Sequence, residues 1–201
     1  MVAIIDYDAG NIKSVENAVR YLGRDVEVTS DPETILGADH IILPGVGAFG
    51  DAMERLQERK LVETIREAVR LDRPFLGICL GLQLLFEESE ESPGVRGLSI
   101  LPGRILRIPG GDGRKVPQIG WNDLTFPKQS RLLAGIPEGS FVYFVHSFYL
   151  QAGDPSDVAA RTEYGVSIDA AVERGNLFAC QFHPEKSERV GMQILRNFLD
   201  L

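Results

Sequence analysis

The sequence predicts an α/β fold: a doubly wound, largely parallel sheet with antiparallel additions in its second half. Two observations carry this expectation. Through the first half, short runs rich in Val, Ile and Leu alternate with stretches of helical period, as parallel strands do with the helices that cover them. After the acidic run Glu87–Glu91 and the breaker Ser92-Pro93-Gly94, short strands separated by turn signals replace the helices.

In chain order, Val2–Ile5 reads as the first strand. Asn11 is placed to cap a helix whose Ile12, Val15, Val19 and Leu22 share one face, with Gly23 ending it. Val26–Thr29 is a second strand, and Asp31-Pro32 starts a short helix. Ile41–Leu43 is a buried strand that enters the loop Pro44-Gly45-Val46-Gly47-Ala48-Phe49-Gly50. A charged helical stretch from Asp51 to Leu71 breaks near Lys60, Phe75–Ile78 forms the next strand, and a helix is expected over Leu80–Glu87. Downstream, Arg104–Ile108, a turn at Gly110-Gly111-Asp112-Gly113, Leu124–Phe126, Phe141–Val145, Val158–Arg161, Ala170–Glu173 and Leu177–Phe182 supply the β-rich half. Glu188–Leu199 closes the chain as a helix. No repeat and no linker divides it, so residues 1–201 are expected to form one domain.

Composition narrows the function. With 21 Lys and Arg against 29 Asp and Glu, the net charge of -8 disfavours polyphosphate backbones and anionic membrane surfaces, so neither nucleic acid nor membrane is expected as a partner. The opening Val2-Ala3-Ile4-Ile5-Asp6 is too short and lacks the basic segment of a secretion signal, and no apolar stretch is long enough to cross a bilayer. Cys79 and Cys180 are the only cysteines, which excludes a framework of several disulfides. A reducing cytoplasm is the expected compartment.

Gly77-Ile78-Cys79-Leu80-Gly81 has the form Gly-x-nucleophile-x-Gly at a strand-to-helix junction, the device of the α/β-hydrolase elbow. Such a turn projects the thiol at a helix N-terminus, where unpaired N–H groups favour the thiolate. Gln83, four residues on, shares the helix face with Cys79. Cys180 lacks the glycine frame and reads as a small buried hydrophobe.

A thiol nucleophile needs a base, and the chain offers His40, His146 and His183. His40 precedes a strand, at the wrong end for a site built on the carboxyl edge of the sheet. In His183-Pro184-Glu185 the carboxylate two residues on is placed to orient the imidazole, which favours His183. His146 has no nearby carboxylate and remains a second choice for base or a pocket wall. Attack on an amide also generates an oxyanion. Backbone N–H groups of Leu80 and of the Gly45-Val46-Gly47 loop are the available donors, although without a partner cysteine that loop would read as a plain strand-to-helix turn.

Pro44-Gly45-Val46-Gly47, Gly77-Ile78-Cys79-Leu80-Gly81-Leu82-Gln83 and His183-Pro184-Glu185 resemble, in order, the three site motifs of the triad-type (class I) glutamine amidotransferases. Asp6-Tyr7-Asp8-Ala9-Gly10-Asn11, Pro117-Gln118-Ile119-Gly120-Trp121-Asn122 and Tyr143-Phe144-Val145-His146-Ser147-Phe148 are similar to one branch of that family. Its members pass ammonia to a separate (β/α)₈-barrel cyclase subunit in histidine biosynthesis. The resemblance implies hydrolysis of L-glutamine through a cysteinyl thioester, in a heterodimer and without metal or organic cofactor. It implies Cys79 as nucleophile, His183 as base and acid, Glu185 as orienter, and the Val46 and Leu80 amides as oxyanion donors. Gly45, Gln83, His146, Ser147 and Phe148 would hold the substrate. Asn11, Gln118, Trp121, Tyr143 and Lys186 would lie near the cyclase interface, although Trp121 is equally readable as a core anchor and Lys186 as a surface charge. Family members usually carry Gly at position 8 and Tyr at position 148, where this chain has Asp8 and Phe148. The rival readings are a glutaminase serving another synthase, a cysteine peptidase or other elbow hydrolase, and a silent binding subunit.

Overall fold

In the computed structural model, which describes residues 1–111 and 113–201, the first half runs strand–helix with little interruption. Its elements are β1 Val2–Ile5, α1 Ile12–Tyr21, β2 Val26–Thr29, α2 Pro32–Gly37, β3 His40–Leu43, α3 Phe49–Glu58, α4 Leu61–Arg70, β4 Phe75–Ile78 and α5 Leu80–Leu84. The second half contributes β5 Glu88–Ser89, β6 Gly103–Arg107, β7 Gln118–Asp123, β8 Phe141–His146, β9 Phe148–Ala152, β10 Val158–Glu163, β11 Ser167–Arg174, β12 Leu177–Cys180 and α6 Glu188–Leu199. Seven strands form the main sheet in the order β10-β11-β12-β4-β3-β1-β2. The pairs from β12 to β2 are parallel, and β11 and β10 add on antiparallel.

Successive residues of a strand point to opposite faces, so an all-apolar strand must be covered on both. In β1, Ala3 and Ile5 pack with Ile35, Phe49, Leu56 and Ile65 from α2, α3 and α4. Val2 and Ile4 pack with Val15, Val19, Ile194 and Phe198 from α1 and α6. Full burial of such side chains stabilises the fold by about 1.5–3 kcal/mol each. Asp31 caps α2 by accepting from the Thr34 amide at 2.8 Å, and Lys60, in the left-handed region at φ 58°, separates α3 from α4.

Two local expectations change. The helix after Cys79 ends at Leu84, because the Leu84, Leu85 and Phe86 carbonyls accept from the amides of Leu98, Ile100 and Ser99 instead of continuing the helical ladder. Leu124–Phe126 is not a strand: Thr125 makes an isolated bridge to Arg161, and Leu124 bonds to the Gly139–Ser140 turn. The strand lies just upstream as β7, held in antiparallel register on β8 from Gln118 opposite His146 to Asp123 opposite Phe141. The expected turn at Gly110–Gly113 includes Asp112, which lies outside the described residues. Among the described residues no helix is long and apolar enough to cross a membrane.

Candidate active site

The strand β4 delivers Cys79 into a backbone conformation of φ 56° and ψ -108° before α5 begins. A non-glycine residue held in so sparsely populated a conformation costs about 1–3 kcal/mol, and its neighbours show what sustains it. A Cβ at Gly77 would sit 2.8 Å from the Gly81 carbonyl oxygen, and one at Gly81 would overlap the Leu43 carbonyl. Both glycines are therefore required by close approach of backbone. The Cys79 amide donates to the Cys180 carbonyl at 2.8 Å, which ties the elbow to β12.

Beyond β12 the chain turns through His183, whose side chain is almost wholly buried beside that of Glu185. The His183 Nδ1 to Glu185 Oε1 distance is 2.7 Å, and Asn11 Nδ2 donates to the same oxygen at 2.6 Å. Burial alone would lower the basicity of His183. The Cys79 sulfur and the Glu185 carboxylate outweigh it and lift the pKa to about 9. His183 Nε2 is buried and makes no hydrogen bond among the described residues.

The loop after β3 comes against the elbow. The Tyr7 hydroxyl donates to the Pro44 carbonyl at 2.9 Å, and burial, reinforced by the nearby Cys79, keeps that phenol protonated. A Cβ at Gly45 would overlap the same hydroxyl. The Leu80 amide donates to the Gly45 carbonyl at 3.3 Å. A trans peptide carries its N–H opposite its C=O, so the Val46 N–H points away from Leu80.

Beside Cys79 opens a cavity of about 290 Å³ lined by Val46, Leu80, Gln83 and Glu91, with Pro117 and the Val145–Phe148 segment as its other wall. Gln83 Nε2 donates to the Phe148 carbonyl at 3.1 Å. Glu91 accepts from the Phe49 amide at the start of α3 at 2.8 Å and is the one carboxylate among the described residues lining the cavity. His146 lies 2.8 Å from the Phe148 carbonyl through Nδ1 and 3.0 Å from the Gln118 side chain through Nε2. Burial lowers its pKa to about 4, so the ring is neutral at pH 7. Nδ1 then carries the proton, because a carbonyl can only accept.

The sequence profile described as glutamine amidotransferase class-I matches residues 3–201. The chain belongs to that family. Among relatives, the imidazole glycerol phosphate synthase subunit HisH of Methanothermobacter thermautotrophicus is 52% identical over 203 residues, covering 100% of this chain and 98% of the relative. The subunit of the same name from Moorella thermoacetica is 52% identical over 200 residues, covering 100% and 94%. A solved glutamine amidotransferase superposes with TM-score 0.77 at 22% identity, over 100% of this chain and 98% of the other. PurLQS from Thermotoga maritima gives 0.72 at 21% identity, over 99% and 97%. These two structures speak to the fold.

Within this glutamine amidotransferase, Cys79, His183 and Glu185 converge where the carboxyl ends of β4 and β12 meet. Gln83, His146, Ser147 and Phe148 line the cavity with Cys79. Gly45 holds the Leu80 amide, so the Val46 and Leu80 amides expected to act together are not both free in this structure. Two of the residues expected near the interface have side-chain partners inside the site. Asn11 stands at the N-cap position of α1, but its side chain makes no cap hydrogen bond; at φ 68° its amide turns to Glu185. Gln118 is 3% exposed and serves His146. Trp121, 46% exposed, meets Tyr143 edge to face, and Lys186 is exposed. Trp121 is thus no core anchor. His40 stacks its edge on Phe198, and Cys180 is fully buried.

At position 8, where the family usually has glycine, Asp8 adopts φ 64°. Arg55 donates to its carbonyl at 2.6 Å and Arg59 pairs with its carboxylate, which offsets the strain glycine would avoid. Sequence reasoning missed Tyr7, Glu91 and Gln181 as site residues. Gln181 alone carried a signal, as a polar amide directly after the apolar run Leu177–Cys180. Glu91 is indistinguishable in sequence from the other carboxylates of its acidic run.

Proposed function

We propose that this chain, as one domain over residues 1–201, is the glutaminase subunit of an imidazole glycerol phosphate synthase in histidine biosynthesis, releasing ammonia to a (β/α)₈-barrel cyclase subunit. The full-length likeness to the two HisH subunits supports the subunit identity. The single observation that carries the chemistry is the buried His183–Glu185 pair at 2.7 Å, electrostatically coupled to the strained elbow cysteine.

In this reading the Cys79 thiolate attacks the side-chain carbonyl of L-glutamine, and the carbonyl electrons move onto oxygen. His183, held protonated by its two anionic neighbours, gives its proton to the departing nitrogen, and ammonia leaves a thioester. Water then attacks the thioester while His183 takes back a proton, and glutamate leaves with the thiolate restored. Glu185 fixes the imidazole through Nδ1, so that Nε2 faces the reacting groups. Glu91 is suited to the substrate's ammonium group, and Gln83 with the His146–Phe148 segment to its flanks.

The oxyanion requires the Leu80 amide, which Gly45 occupies. Rotation of the Gly45–Val46 peptide would free that donor and turn the Val46 N–H inward as a second. Exposed Val46, Ile119, Trp121 and Phe141 form an apolar approach to this loop and to the β7–β8 pair, a surface suited to the cyclase, with Tyr143 and Lys186 beside it. The test is to mix the chain with a purified barrel cyclase and follow co-elution and glutamate release. A complex with accelerated glutamate release is expected. Absence of both would overturn the subunit assignment while leaving glutamine chemistry open.

A further inference from the structure

Gln181 is wholly buried between β12 and His183, and its backbone amide is committed to the Ala170 carbonyl at 2.8 Å. Its side chain bridges two groups: Oε1 lies 3.0 Å from Gln83 Nε2, and Nε2 lies 3.7 Å from Cys79 Sγ. The direction of this chain is fixed by its far end. The Phe148 carbonyl has no proton to give, so Gln83 must present its NH₂ there, at 3.1 Å. The same NH₂ reaches Gln181, which therefore accepts through oxygen. That leaves the Gln181 NH₂ facing the sulfur, as a donor only. The sulfur also lies 4.0 Å from the Val145 carbonyl, an acceptor that favours the protonated thiol.

We propose that Gln181 is a positioning residue for the nucleophile: its amide donates to Cys79 Sγ, favouring the thiolate and holding its side chain toward the substrate cavity. This deepens the glutaminase reading and rests on Cys79 being the nucleophile. A donor to sulfur stabilises the anion and not the thiol, so removing it shifts the balance toward the thiol. Because Gln83 both lines the substrate cavity and orients Gln181, one amide couples the substrate wall to the state of the sulfur.

The test uses the full chain bearing Gln181→Leu or Gln181→Glu. The first removes the donor; the second keeps the shape and acceptance from Gln83 while placing an oxygen against the sulfur. Alkylation by iodoacetamide, followed by mass spectrometry at Cys79 across pH, reads the thiolate directly and without glutamine. The titrating neighbours Tyr7, Cys180 and His183 are unchanged in both variants; Gln181→Glu adds its own carboxyl beside the sulfur, so Gln181→Leu reads the loss of the donor alone. In either variant the midpoint is expected to rise by about one pH unit, a tenfold loss of thiolate below it. Glutamate release in the complex should fall mainly in kcat, with KM little changed. An unchanged midpoint and kcat in a cooperatively folded Gln181→Glu protein would overturn the role, and Gln181→Glu carries the test if the leucine variant does not fold. Cys79→Ala run alongside separates the two ideas. If it still released glutamate at the wild-type rate, the glutaminase reading itself would fall, whatever Gln181 does.

Discussion

The Leu80 amide donates to the Gly45 carbonyl at 3.3 Å, so the backbone donor beside the proposed nucleophile Cys79 is engaged by the loop proposed to supply its companion. Removing one oxyanion donor typically lowers kcat by about 10²–10³-fold. The chain alone is therefore expected to hydrolyse glutamine at least about 10²-fold more slowly than in complex with its cyclase. Steady-state glutamate release with and without the partner checks this; equal rates would mean the loop is not limiting.

Gly81 lies so close to the Leu43 carbonyl that a methyl group there has no room. Gly81→Ala is expected to destabilise the protein by about 3 kcal/mol or more through displacement of packed backbone. Urea unfolding measures it. Gly110→Ala, where a Cβ would meet nothing within 4 Å, is the matched control and should change stability by less than about 1 kcal/mol.

These glycines show what was legible in the sequence. The elbow, the strands of the parallel sheet and the His183-Pro184-Glu185 segment are local patterns, and their periodicity or spacing survives without knowledge of partners. Asn11 was not legible. Its position before α1 reads as a cap, but its amide meets a carboxylate far along the chain, and only the β1–α1 and β12–α6 connections bring them together. The partner of Gln118 was not legible either, because the antiparallel pairing of β7 with β8 sets it opposite His146. The state of the Gly45–Val46 peptide is a single backbone rotation, and residue identity does not encode it.

Asn11 donates to the oxygen of Glu185 that also faces His183. Asn11→Ala should lower kcat by about tenfold, the order of one charged hydrogen bond, with a smaller change in KM. Asn11→Asp should lower it further, because two carboxylates would meet beside the imidazole. Kinetics of the complex distinguish these outcomes, and an unchanged kcat in both variants would remove Asn11 from the triad's support.

His146 titrates in the opposite sense to His183. Its pKa falls from 6.5 to about 4 on folding, so the unfolded chain holds the proton more tightly between those values. Its contribution to stability is complete above about pH 6.5 and is lost as pH falls toward 4. Between pH 7 and pH 5 the loss should be about 2 kcal/mol. His183, raised to about 9, stabilises fully below about pH 6.5 and less as pH climbs through 9. Urea unfolding of wild type and His146→Gln at pH 7 and pH 5 isolates the first effect, and the same acid loss in both would contradict it.

Everything in the mechanism passes through one sulfur. The most direct measurement is glutamate release from glutamine by the complex carrying either wild-type chain or Cys79→Ala, with ammonium supplied separately to the cyclase. The alanine variant is expected to release no glutamate above background while the cyclase still turns over with ammonium. Glutamate release by Cys79→Ala at the wild-type rate would contradict the account.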